Sequence, residues 1–250
     1  MPKWIIEKEK LEHELQVAQA IQESILPEIL PQTETIHFGT FLKPARAVGG
    51  DFYDIFELDQ HRIGIMIGDV TDKGVPSALV MAQTHALIYA EAMRKQSPQQ
   101  VMEKVNQMVM RINQSGLFIT AIYGILDLEN NLFSYARAGH EIPLIKHHRQ
   151  PSTLTPKSTG QPLGLLDDAV FDCQQVQFSP GIRLLLYTDG ALDMHNTAGV
   201  QYGLSRLQKD FDTSDALSPQ ETCEFLYQKF AAHQEDTPQD DDITLILIQA

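Results

Sequence analysis

At 250 residues, with 43% hydrophobic and 21% charged side chains, the chain has the make-up of a globular protein and the length for one large domain. Its formal charge of −14, from 19 basic against 33 acidic residues, argues against a nucleic-acid partner and against an anionic membrane surface, since both need clustered Lys and Arg. No apolar run approaches the roughly 18–20 residues that span a bilayer, and the charged start MPKWIIEKEKLEHELQ lacks the apolar centre of a secretory signal, so the expected location is cytoplasmic.

Residues 3–26 predict an amphipathic helix. Trp4, Leu11, Leu15, Ala18 and Ile25 follow the spacing of a coiled-coil seam, with Lys8 and Gln22 as polar interruptions, and Leu26-Pro27 and Pro31 end it. Strands are expected at 36–42, 52–58 and 62–70. Two helices follow, from Pro76 to Arg94 with Leu79, Ala82, Ala86, Ala90 and Met93 on one stripe, and from Pro98 to Asn113. Further strands are expected at 117–128, 132–139, 142–147, 169–178 and 181–190, then a helix at 218–233 and a closing strand at 243–249. This order lacks strict βα alternation, which points to a layered α+β domain. The simplest division is an N-terminal helical extension, residues 1–30, and one domain, residues 31–250. Cys173 and Cys223 lie far apart and outside any CxxC, and read as small buried or half-buried residues.

Four acidic motifs carry the chemistry: VGGDFYD (48–54), IGDVTDKG (67–74), YTDG (187–190) and QDDDIT (239–244). Asp69 follows the apolar run Ile63–Ile67, Asp189 follows Leu184-Leu185-Leu186-Tyr187, and Asp241 and Asp242 precede Ile243–Ile248. Taken singly, Gly-Asp and Asp-Gly pairs are common turn chemistry, the reading that suits Asp59, Asp127 and Asp167. Four carboxylates fused to the ends of apolar strands can instead converge on one sheet edge, because in antiparallel neighbours the end of one strand lies beside the start of the next. Gathered carboxylates are costly unless protons or cations are shared, and all-oxygen donors suit Mg²⁺ or Mn²⁺. The chain has no P-loop, GxGxxG, HExxH or GxSxG, and neither cysteine has an Arg six residues on. His140 in AGHEIP reads as structural, and His147-His148 as an exposed turn.

VGGDFYD, GDVTDKGVPSALVMA, AGHEIPL, PLG at 162–164, LLLYTDGALD and DDDITLI together resemble, in order and spacing, the SpoIIE/RsbU-type phosphatases of the PPM (protein phosphatase 2C-like) family, over about residues 18–250. The resemblance implies a four-layer α-β-β-α sandwich of two mainly antiparallel sheets, holding two Mn²⁺ or Mg²⁺ ions. In it Asp69 would bridge both ions, Asp51 would hold one and Asp189 and Asp241 the other, the Val70 carbonyl would also take part, and Asp242 is the next candidate. These aspartates are the expected catalytic residues. Asp72 stands where the family often has glycine, and Val70-Thr71 leaves no histidine after the bridging aspartate. The implied activity is hydrolysis of phosphoserine or phosphothreonine by water, without a phosphoenzyme. The implied substrate is a STAS-domain anti-sigma-factor antagonist in a partner-switching pathway, with an upstream sensor or receiver domain or protein. In that frame residues 1–30 become a regulatory helix able to pair two copies, and 31–250 a PPM-type phosphatase domain. A catalytically weak binding module is the alternative. A GGDEF-like cyclase, suggested by Gly49-Gly50-Asp51-Phe52, leaves Asp69, Asp189 and Asp241 unexplained.

Overall fold

The structure is a computed structural model that describes residues 2–148, 150–157 and 159–250. Its elements run α1 (Lys3–Glu23), β1 (His37–Lys43), β2 (Phe52–Glu57), β3 (Arg62–Val70), α2 (Val75–Ala92), α3 (Pro98–Ile112), β4 (Ile119–Asp127), β5 (Leu132–Ala138), β6 (Leu144–Lys146), β7 (Thr153–Leu154), β8 (Cys173–Gln177), β9 (Arg183–Tyr187), α4 (Gly190–Asp193), α5 (Gly203–Asp212), α6 (Pro219–Gln234) and β10 (Ile243–Gln249). Two five-stranded sheets form, ordered β1-β10-β9-β6-β7 and β2-β3-β4-β5-β8, and all their strand pairs are antiparallel.

Strand periodicity decides the layers. Along β3 the odd residues Ile63, Ile65 and Ile67 join Ile122, Leu184, Leu186, Ile246 and Ile248 in the core between the sheets. The even residues Met66 and Val70 face outward into a second core with α2 and α3, through Met81, Ile88, Val101 and Val105. On the far side α5 and α6 cover the other sheet through Leu207, Phe211, Leu226 and Phe230, which meet Leu185, Leu245 and Leu247. Helix, sheet, sheet and helix thus stack as the expected sandwich. Helices α3 and α6 both open on complete capping boxes, Ser97 with Gln100 and Ser218 with Glu221, each followed by proline at the first helical position.

Three expectations change. The apolar stripe read on α2 does not face the core: Leu79 and Met93 are exposed, and the buried face is Ser77, Val80, Met81, Thr84, His85, Ile88, Glu91 and Ala92. Two polar members of that face are satisfied locally, Thr84 by the Val80 carbonyl and His85 by Asp54 at 3.1 Å, which offsets the cost of burying them. Cys173 is exposed on the edge strand β8, whereas Cys223 is buried as expected. The sequence reading also left out α5, whose Leu204, Leu207 and Phe211 share one face, and the short α4 and β7. Helix α1 ends at Glu23 and buries none of its residues.

Candidate active site

Each acidic side chain owes its place to strand pairing. Phe52 pairs with Gly68, so Asp51, just before β2, and Asp69, near the end of β3, share one end of their sheet. Tyr187 pairs with Leu245, so Asp189, just past β9, and Asp241 and Asp242, just before β10, share the end of the other. The buried hydroxyls of Thr188 and Thr244 both donate to Asp51 Oδ2, at 2.8 and 2.6 Å, and tie the two sheets together at this edge.

Asp242 works as a clamp. Its Oδ1 accepts the Ala45 N–H at 2.7 Å, and its Oδ2 accepts the N–H groups of Gly50 at 2.7 Å and Asp51 at 3.3 Å. A Cβ at residue 49 would sit 2.0 Å from Asp242 Oδ2, so glycine is what lets the loop close on this carboxylate. The Val70 carbonyl lies beside the same loop, 2.7 Å from where a Cβ on Gly50 would stand. Asp72 holds the left-handed conformation (φ 71°) that favours glycine, and its Oδ1 accepts the Lys73 N–H at 2.8 Å.

The carboxylates feel one another. Burial, then the charges of Asp69 and Asp242, raise the Asp51 pKa well above the usual carboxylate range, against the two threonine hydroxyls. Burial followed by Asp189 and Asp241 pushes Asp69 up to about 7. Asp189 is raised by burial, Asp241 and Asp193. Glu141 is raised by burial and by Asp189 and Asp193, and extends the acidic rim. One ammonium answers them: Lys73 Nζ lies 3.1 Å from Asp241 Oδ2 and also donates to the Asp240 carbonyl. Among the described residues no three His, Cys, Asp or Glu side chains are drawn into a ready-made metal cluster. The donor set nevertheless fits hard divalent cations: it is all oxygen, it carries raised carboxylate pKa values that a cation would relieve, and a lysine ammonium already rests against one member.

A family model described as Stage II sporulation protein E (SpoIIE) matches residues 59–250. The chain belongs to the SpoIIE family. Protein IcfG of Synechocystis sp. is 28% identical over an alignment of 262 positions, covering 94% of this chain and 41% of IcfG. Phosphoserine phosphatase RsbU of Bacillus subtilis is 28% identical over 244 positions, covering 97% of this chain and 71% of RsbU. The chain therefore spans well under half of one curated relative and most of the other. The SiaA-PP2C domain of Pseudomonas aeruginosa shares the fold over the whole of both chains, with a TM-score of 0.86 at 23% identity.

Within this SpoIIE-family chain, the expected ligands Asp51, Asp69, Asp189 and Asp241 all come to one edge. Sequence reasoning missed the residues that organise them. Thr188 and Thr244 were in view as the threonines of YTDG and DDDIT, and Lys73 and Glu141 sat inside the motifs GDVTDKG and AGHEIP. His140, expected to be structural, is buried, its Nδ1 is 2.9 Å from Thr120 Oγ1, and burial and Arg137 drive its pKa down to about 3. The His147-His148 pair is exposed, and no helix among the described residues is long and apolar enough to cross a membrane.

Proposed function

We propose that this chain is a metal-dependent serine/threonine protein phosphatase whose Asp51, Asp69, Asp189, Asp241 and Val70 carbonyl hold two Mn²⁺ or Mg²⁺ ions. One observation carries the reading: buried and half-buried carboxylates from both sheets come together at a single edge, and partial burial with mutual repulsion raises the pKa of three of them. Asp241 is the better ligand candidate of the adjacent pair, because both oxygens of Asp242 hold the 45–51 loop by its N–H groups, whereas Asp241 spends Oδ1 on its neighbour's N–H at 3.0 Å and turns Oδ2 to the Lys73 ammonium, a place a cation can take. Bound divalent cations supply an acidified water and offset charge on the phosphoryl oxygens. The chain's own residues do the positioning. Asp69 stands between the Asp51 side and the Asp189–Asp241 side, the place for a bridging ligand. Thr188 and Thr244 fix the Asp51 carboxylate, Asp242 holds the loop from Ala45 to Asp51, and Lys73 supplies the counter-charge that Asp241 gives up to a cation.

The acidic surface, the family and the name of RsbU favour a phosphorylated protein over free nucleotides as substrate. The resemblance of the motifs narrows this to phosphoserine or phosphothreonine on a STAS-domain antagonist in a partner-switching pathway, in the cytoplasm. Helix α1 is the regulatory element in this reading. The Gln22 side chain grips Gly49 from both sides, donating to its carbonyl at 2.7 Å and accepting its N–H at 3.0 Å, two residues from Asp51. Exposed Trp4, Leu11 and Ile21 leave α1 an apolar face for a second copy or an upstream sensor. An aryl phosphate and a phosphoserine protein, assayed with Mn²⁺ and with excess EDTA, test the proposal. Hydrolysis should require the metal and favour the phosphoserine protein over phosphotyrosine peptides; hydrolysis that persists in EDTA rejects it.

A further inference from the structure

Lys73 stands on a turn that is pinned at both ends. On one side the Thr71 N–H and hydroxyl both donate to the Phe118 carbonyl, at 3.0 and 3.1 Å, and that hydroxyl accepts the Phe118 N–H at 3.0 Å. On the other side the Gly74 carbonyl takes the Ala78 N–H at 3.0 Å and the Ser77 hydroxyl at 2.9 Å in the first turn of α2. Between these anchors both neighbours of Lys73 are left-handed, Asp72 at φ 71° and Gly74 at φ 82°. From this fixed backbone the side chain crosses to the other sheet. Its Nζ lies 3.1 Å from Asp241 Oδ2 and donates to the Asp240 carbonyl, both just before β10. Among the described residues this is the only ion pair made by any of Asp51, Asp69, Asp189, Asp241 and Asp242.

The ammonium serves one half of the acidic edge. Burial, then Asp241 and Asp193, raise the Asp189 pKa, and the Gly190 N–H and the Lys73 charge work against them. At Asp51 the opposition comes instead from the Thr244 and Thr188 hydroxyls, and at Asp69 from a hydrogen bond with Asp51. Lys73 thus answers Asp189 and Asp241, the two carboxylates given above to one ion. Its side chain is 31% exposed and that of Asp241 38%, so the pair lies at the open rim. An ion pair that exposed is weak, and the ammonium has water to move into. We propose that Lys73 is a built-in competitor for the ion on the Asp189–Asp241 side. It holds that side together in the metal-free protein and is displaced when the ion arrives, so the Asp51–Asp69 side fills first and the Asp189–Asp241 side second. This rests on the two-cation reading and goes beyond it by ranking the two positions.

Calorimetric titration of Mn²⁺ into the metal-free full chain, and into its Lys73→Met and Lys73→Arg variants, tests the proposal. The parent should bind two ions in unequal steps. Lys73→Met should tighten the weaker step by about threefold to tenfold and leave the tighter one within about twofold. Lys73→Arg keeps the charge and should stay near the parent. Urea denaturation separates a competitor from an ordinary structural lysine: Lys73→Met should be less stable than the parent in EDTA and equal to it in saturating Mn²⁺, because what the metal-free state loses the binding step regains. In the unsubstituted chain, pulse acetylation read by mass spectrometry should label Lys73 about threefold or more faster with Mn²⁺ than with EDTA. Two ions bound with both steps unaltered in Lys73→Met would overturn the inference and leave the two-cation reading standing. A stability loss that persists in saturating Mn²⁺, or equal labelling of Lys73 in the two states, would also overturn it. Fewer than two ions bound by the parent would overturn both.

Discussion

Strand β9 begins at one buried charged cluster and ends at another, and the two could hardly differ more. At its start Lys146 and Arg183 are buried and met by acceptors, with only the Arg183 Nε lacking a partner among the described residues. Lys146 Nζ meets Asp215 at 2.6 Å and the Asp212 carbonyl at 2.7 Å, and Arg183 donates to the Ser214 carbonyl at 3.0 Å and to the Thr222 hydroxyl. Past its end Asp51 is buried and Asp69 and Asp189 are half-buried, yet they face like charges, with the Lys73 ammonium beside Asp241. Buried charge with opposite charge and hydrogen bonds around it is architecture. Buried like charge held together by the fold, with raised pKa values, marks a site built for cations.

The comparison breaks most sharply at Asp69. Replacing it as Asp69→Asn should lower phosphate hydrolysis by two to three orders of magnitude, roughly 3–4 kcal/mol of lost transition-state stabilisation. A variant keeping more than about a tenth of the rate contradicts a bridging role. The same change should not weaken the metal-free fold above pH 7. The Asp69 pKa, raised to about 7, lies above its unfolded value, so its favourable contribution is complete only at pH values below the unfolded pKa and fades as pH rises through 7. Asparagine removes the charge that is unfavourable at pH 8, and the melting temperature of the chelated protein should hold or rise.

Arg183→Met at the other end should behave in the opposite way. It leaves Asp215 to Lys146 alone and empties the Ser214 and Thr222 acceptors, at a cost of about 3 kcal/mol, while hydrolysis per folded molecule stays within about twofold of the parent. Chemical denaturation followed by rate assays separates the two; a catalytic loss at Arg183 as large as at Asp69 would erase the distinction. A smaller effect is expected at Gln22→Ala, which removes both hydrogen bonds to Gly49. Metal affinity should drop by about threefold to tenfold, with less than about 1.5 kcal/mol of lost stability. Unchanged affinity and rate would make α1 a tether.

Much of this was legible in the sequence because strand ends announce themselves. An apolar run such as Ile63–Ile67 closed by Gly68-Asp69, or Asp241-Asp242 opening Ile243–Ile248, fixes both the element and the direction of its acid. What was not legible depends on partners distant in the chain. Nothing local distinguishes Asp241 from Asp242; the difference is that Ala45, Gly50 and Asp51 donate to one of them. Helix α2 misled for a related reason. Its apolar stripe at Leu79 and Met93 lies outside, while Glu91, Thr84 and His85 lie within, and packing against β2, β3 and α3 makes the polar face the buried one. The positive φ of Asp72 is a turn conformation that favours glycine, and one oxygen of its carboxylate is held by the next residue's N–H.

The central claim, that the end of the two sheets past β9 is a two-cation site, is tested most directly by calorimetric titration of Mn²⁺ into the metal-free chain at pH 6 and pH 8. Two ions should bind per chain, more tightly at pH 8, with net proton release at pH 6 because Asp69 and its neighbours must ionise to accept them. Binding of no more than one ion, or binding unaltered by Asp69→Asn, would contradict it.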